Sequence, residues 1–247
     1  MKVRITNPNP VIELESDWYQ YLRVNGKRVY ELGNECGTCV FVYEHLQSVQ
    51  PPISPEKLSQ LLQDGLQEVF PELIATVALL LPTSEYLIGL FEITPQMVIP
   101  KPWDYWKYLG YGSVKFPYYL GRKYQLDANG FVSEAIVPLF HANTLNPGVW
   151  QVYQEKILAG AQPTALAYSI IEGRHAQAGE SYKAPDEWSV MHFLVDGHHK
   201  MFAAMKAQAP ITLLSFLRYP FVNGGVYNHP HSPSLHDYIC AAIYGHS

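Results

Sequence analysis

Cysteine is scarce in this chain of 247 residues: there are three, Cys36, Cys39 and Cys240. A small, odd set does not make a disulfide framework, and it fits a reducing compartment. Charge is sparse as well, at 16% of residues with a formal balance of −5. Nucleic-acid binders concentrate Lys and Arg to displace counterions, so no nucleic-acid partner is expected. A local basic patch around Lys115, Arg122 and Lys123 is the exception. Long apolar runs are missing too. The longest, Leu73 to Leu81, is far short of a membrane span, and MKVRITNPNP lacks the apolar core of a signal peptide. No membrane partner is expected, and a cytoplasmic location is.

What is present points to a globular protein. Hydrophobic residues make up 48% of the chain, and its eighteen tyrosines and nineteen prolines favour strands and shaped loops over long helices. The expected fold class is α+β, with a small mixed α/β part over residues 1–110 and a second domain over 111–247. In the first part, Trp18 to Val24 and Lys27 to Leu32 read as a hairpin closed at Asn25-Gly26. Val40 to Leu46 reads as a helix. Ser54 and Pro55 start another, carrying Leu58, Leu61, Leu62, Leu66 and Val69 on one face up to Pro71. Leu73 to Leu81 and Glu85 to Ile93 read as paired strands. The aromatic stretch from Pro95 to Gly121 reads as a covering loop, with stacking on a base or partner as the other use of such residues.

The second part is more regular. Phe131 to Leu139 is a strand, Asn146-Pro147 starts a helix that Gly160 stops, and Thr164 to Ile171 is the next strand. A polar insertion, Glu172 to Trp188, separates it from the apolar run Val190 to Val195. Asp196-Gly197 then breaks the run, His198, His199 and Lys200 open a helix, and Ile211 to Leu217 supplies another strand. A helix start leaves N–H groups without intrahelical partners and carries the positive end of the dipole, so it attracts anions such as phosphate. Gly197 lets an anion approach closely. The same residues also fit a polar connection in which Asp196 caps the helix and the histidines are solvated.

This strand, Gly-His-His-Lys turn, alanine-bearing helix and strand resembles the ParB and sulfiredoxin superfamily, in which the turn binds nucleotide phosphates. The similarity runs back through Ala135 to Leu139, the helix over Pro147 to Leu158 and Gly160-Ala161-Gln162-Pro163, and leaves residues 1 to about 110 uncovered. It implies that Gly197, His198 and Lys200 bind ligand and that Asp196 and His199 act on it, with ATP or CTP and Mg²⁺ as the implied cofactors. The partner is then a nucleotide or a small phosphorylated ligand. The sulfiredoxin cysteine position is His198, which removes that cysteine chemistry. Lys200 stands where the family carries arginine, keeping the charge but not the planar fork. Asp196 to Lys200 is closer to the Asp-Gly-x-His-Arg turn of the superfamily's free-serine kinases. Phosphotransfer or nucleotide hydrolysis follows from one reading, and a non-catalytic interaction or sensor protein with a degenerate site from the other.

Cys36 and Cys39 form a C-x-x-C ahead of the helix expected from Val40, a place where thiol pKa values fall. Redox use, metal binding and a packed turn all fit it. Zinc is not expected, because no second C-x-x-C supplies the remaining ligands. His229, His231 and His236 read as a histidine-rich surface loop.

Overall fold

The computed structural model describes residues 1–16, 20–33, 42–49, 56–99, 117–125, 130–174 and 186–219. In chain order they form β1 (Lys2–Ile5), β2 (Ile12–Ser16), β3 (Gln20–Val24), β4 (Lys27–Gly33), β5 (Val42–His45), α1 (Glu56–Gln63), α2 (Pro71–Ala78), β6 (Ser84–Ile93), β7 (Gln96–Val98) and β8 (Tyr118–Gln125). Then come β9 (Gly130–Val137), a 3-10 turn (Ala142–Thr144), α3 (Pro147–Leu158), β10 (Thr164–Arg174), β11 (Asp186–Asp196), α4 (His198–Ala207) and β12 (Ile211–Tyr219). The fold is α+β. Among the described residues no helix is long and apolar enough to cross a membrane.

Strands β2 to β5 form an antiparallel meander. Its β3–β4 turn has Asn25 and Gly26 at φ 50° and 74°, the positive values that a two-residue hairpin turn requires. The helix expected from Val40 is not found over Val42–His45, which is instead a strand paired to β4 from Tyr30↔His45 to Gly33↔Val42. Val42 and Tyr43 suit a pleated surface better than a helix.

The second sheet has eight strands in the order β1-β6-β12-β10-β11-β9-β8-β7. At its centre β10 and β11 are antiparallel, with β12 parallel to β10 and β9 parallel to β11. β6 runs beside β12 from Ile211↔Ile93 to Tyr219↔Glu85, so strands from before and after residue 110 share one sheet. The boundary expected there does not separate two sheets. Nor does it separate two cores, since Ile5, Leu22, Leu73, Tyr168 and Phe216 belong to a single buried cluster.

Side chains alternate across the large sheet, as the pleat dictates. Leu166, Tyr168 and Ile170 of β10 face the meander and α1 and α2. Ala165 and Ala167 face the other way, toward Ile157 of α3 and Met201, Ala203 and Ala204 of α4. A hydrogen bond from Tyr30 Oη to the Pro138 carbonyl ties the meander to the end of β9.

The strand expected over Leu73 to Leu81 is largely helix α2. Pro71 at the first helical position presets φ, Glu72 suits the first turn, and Leu73 and Val77 bury one face at a spacing of four. α1 ends at Gln63, earlier than the expected Pro71. Leu66 beyond it is buried, but its N–H donates to Thr164 Oγ1 at 2.8 Å instead of to a helical carbonyl. β10 and β11 also extend into both ends of the expected insertion.

One end of the large sheet collects the ends of β9 and β11 and the starts of β10 and β12: Val137 stands opposite Phe193, Leu166 opposite Asp196, and Thr164 opposite Thr212. α3 begins nearby, with Asn146 Oδ1 accepting from the Gly148 N–H at 2.9 Å and Pro147 behind it.

Candidate functional site

At that end β11 passes into α4 through Gly197. Its φ of 93° is left-handed, and a Cβ there would lie 2.8 Å from both Cα and Cβ of Ala165 on β10. Conformation and space therefore both demand glycine. The Gly197 carbonyl accepts from the Met201 N–H at 2.8 Å, opening the helical ladder. No side chain caps the helix; the Asp196 carboxylate, which could have done so, turns to Lys200.

The expected site residues, Asp196 to Lys200, thus sit together at one turn, where their side chains hold the fold. Lys200 is buried, and its Nζ donates to Leu62 O at 3.3 Å, Thr164 O at 3.0 Å and Asp196 Oδ2 at 3.0 Å. An ammonium has three donors, so all are taken. Lys200, expected to face a phosphate, points inward to the last turn of α1, where free carbonyls and the negative helix end favour a cation.

His198 is buried, accepts the Leu139 N–H on Nε2 at 3.1 Å and stacks on Phe140 at 4.0 Å. Burial, then His199 beside it, pushes its pKa down to about 3. His199 is half-buried and accepts the Asn146 N–H on Nε2 at 3.1 Å. Burial lowers its pKa, with Asp196 opposing. The two neutral rings fasten both ends of the β9–α3 connection to α4. Tyr153 of α3 stands over Lys200, with Nζ 6.0 Å from its ring centre. Its hydroxyl pKa is raised by burial, then by Asp196 and by Asp64 just past α1, so α1, α3 and β11 converge here. Asp196 and Lys200 neutralise one another, and α4 begins without a side-chain cap.

Cys36, Cys39 and Cys240, and His229, His231 and His236, lie outside the described residues. Among the described residues no group of three or more His, Cys, Asp or Glu side chains is placed to hold a metal ion. Of the expected basic patch, Arg122 is engaged by Glu134 through Nη2 at 2.7 Å and Nε at 2.9 Å.

That pair belongs to a buried polar row absent from the sequence reading. It runs across five adjoining strands on the α3–α4 face of the large sheet. Ser215 Oγ of β12 lies 2.8 Å from Ser169 Oγ of β10, which lies 2.7 Å from His192 Nδ1 of β11. His192 Nε2 faces Glu134 Oε1 of β9 at 3.7 Å, within ion-pair range but without a hydrogen bond, and Glu134 holds Arg122 of β8. Ser169 and His192 are paired directly across the ladder; Ser215 and Glu134 sit on the diagonals, beside Ala167 and Val190. Burial alone would raise the Glu134 carboxyl, but His192 and Arg122 beside it hold it at about 2. Glu134 approaches Gly121 so closely that a Cβ there would lie 2.6 Å from its own Cβ.

In the sequence each of Ser169, His192 and Ser215 is one polar residue inside an apolar strand. Their pattern appears only when the strands are set in register. No protein-family model, curated protein or solved structure matches this chain, so the geometry above carries the functional argument.

Proposed function

We propose that this protein binds a nucleotide or a small phosphorylated ligand at the Gly197 turn, through the backbone, as a non-catalytic binding or sensor protein. The observation that carries the reading is the start of α4: a ten-residue helix whose N-terminus has no side-chain cap and opens at a left-handed glycine. A helix start leaves N–H groups without intrahelical partners and carries the positive end of the dipole, which together suit an anion. The order α3, β10, β11, α4 and β12 is the order of elements on which the resemblance to the ParB and sulfiredoxin superfamily rests, and the ligands of that superfamily bind at this turn. Two observations favour binding over turnover. Asp196 is paired with Lys200, and His199 accepts a backbone N–H, so neither is poised as the base or acid that phosphotransfer or hydrolysis needs.

The test is thermal stabilisation and calorimetric titration with ATP, CTP, GTP and inorganic phosphate, with and without Mg²⁺, beside a turnover assay. A ligand at a hundred times its Kd should stabilise the protein by about 2.7 kcal/mol. His199→Asp puts a carboxylate in the first turn of α4, where it competes with a bound anion while suiting the helix, so affinity should fall tenfold or more. No stabilisation by any of these ligands, or equal affinity in the variant, overturns the binding reading. Steady-state turnover at this turn overturns the non-catalytic one.

A further inference from the structure

We propose that the β9–α3 connection, Pro138 to Asn146, is a proton-operated latch, held shut by His198 and His199 as hydrogen-bond acceptors and released in mild acid when those rings are protonated. The two imidazoles sit side by side at the start of α4 and reach opposite ends of the connection. His198 Nε2 accepts the Leu139 N–H at 3.1 Å, and His199 Nε2 accepts the Asn146 N–H at 3.1 Å. An imidazole nitrogen accepts only while it carries no proton, and an imidazolium donates from both nitrogens. Protonation of either ring therefore sets a donor against the backbone donor it now holds.

Within the connection the hydrogen bonds close locally. Thr144 donates to the His141 carbonyl from its N–H at 3.0 Å and its Oγ1 at 2.6 Å, and the Leu145 N–H donates to Ala142 O at 3.2 Å. These bonds do not involve α4, so release moves the connection as one piece. Asn143, Thr144 and Asn146 are exposed, which brings water and its protons to the His199 end. At the other end Phe140 stacks on His198 at 4.0 Å, and Tyr30 Oη of the meander donates to the Pro138 carbonyl. His45 of β5 lies edge-on to Tyr30 at 5.1 Å and is close enough to His141 for their charges to repel. Acid therefore works against this fastening as well.

The groups facing these rings set the sign. Burial, then His199, holds His198 at about 3, and burial, then His141, holds His45 at about 4. Asp196 opposes the lowering of His199, but burial outweighs it and the carboxylate is shared with Lys200. A released ring titrates at its ordinary value, so the closed form keeps its full advantage above about pH 6.5 and loses it as pH falls toward the folded value. From pH 7 to 5, freeing His198 favours the open form by roughly twentyfold. Because α3 starts at Asn146 and α4 at Gly197, release loosens the first turns of both helices.

The test is amide hydrogen exchange of the full chain without ligand, read by NMR and corrected for the intrinsic rate at each pH. Protection of the Leu139 and Asn146 amides should fall roughly twentyfold or more from pH 7 to 5. It should also stay below that of Tyr168 and Phe216, in central strands that open only on global unfolding. The double variant His198→Gln, His199→Gln keeps an acceptor at both positions without a titrating ring and should lose most of this pH dependence. Constant protection of the wild-type amides from pH 7 to 5 overturns the proposal. So does protection equal to that of Tyr168 and Phe216 at pH 5, which means the connection opens only when the whole protein unfolds, and so does a folded double variant with the wild-type pH dependence. The measurement needs no ligand, so the latch and the binding reading can each fail alone.

Discussion

Replacing Glu134 with Gln keeps the shape of the side chain and removes its charge, which makes it a direct test of the polar row. The carboxylate accepts from Arg122 at Nη2, Nε and the backbone N–H, at 2.7, 2.9 and 2.9 Å. A glutamine offers one acceptor oxygen and sets an NH₂ group against the remaining donors. Two routes give the cost. Holding the carboxyl at about 2 instead of 4.5 corresponds to about 3 kcal/mol at neutral pH, at about 1.4 kcal/mol per pH unit. Removing one partner of a buried ion pair typically costs about 3–5 kcal/mol. Arg122 is 28% exposed and can recruit water, whereas Glu134 is fully buried, so the lower end applies. A loss of about 3 kcal/mol is a large part of the stability of an ordinary domain. The sign of the pH dependence follows from a folded pKa below the unfolded one. The contribution is complete above about pH 5 and is lost as pH falls toward about 2. Urea denaturation of both proteins between neutral pH and pH 3 should therefore give curves that converge in acid, with unchanged m at neutral pH. A difference under about 1 kcal/mol at pH 7, or one that does not shrink in acid, would refute the reasoning.

The remaining predictions concern the turn. Lys200→Met should lower stability by about 2–4 kcal/mol, because Leu62 O, Thr164 O and Asp196 lose a charged donor together; thermal denaturation measures it, and a neutral effect would mean Lys200 is not an internal tie. Gly197→Ala should cost more than about 1 kcal/mol, since it meets both a left-handed φ and the backbone of Ala165; a melting temperature within a degree of wild type would contradict this. His198 has a folded pKa of about 3 against an ordinary 6.5, so the unfolded chain binds its proton first and stability should decline as pH falls from about 6.5. His198→Gln should remove that early part of the acid dependence, measured as stability from pH 7 to 5; an unchanged slope would count against a buried neutral imidazole.

The pieces of this fold legible in the sequence are those whose cause is local. Asn25-Gly26 dictates its own turn, Asn146-Pro147 its own helix start, and Asp196-Gly197 breaks an apolar run where one strand must end. Leu73 to Leu81 resisted reading because an apolar run broken only by Thr76 has little visible period. Pro71 in front of it and the burial of Leu73 and Val77 on one face were the deciding features, and burial is a tertiary fact. At the candidate site the same division holds. The grouping of Asp196 to Lys200 could be read directly, but not the direction of Lys200, since two of its three acceptors are main-chain oxygens at Leu62 and Thr164, far away along the chain. The row from Ser215 to Arg122 is the extreme case. Each member is an ordinary residue in its own strand, and its chemistry exists only through a register spanning five strands, of which β9 and β11, and β10 and β12, are parallel pairs joined through intervening structure. A one-residue slip of β11 would turn His192 to the opposite face and dissolve the row. Nothing in the local sequence of β11 forbids that slip. The left-handed Gly197 wedged against Ala165 does, because it fixes where β11 must end relative to β10. The turn proposed to bind ligand is therefore also the register pin for the serine, histidine and glutamate behind it.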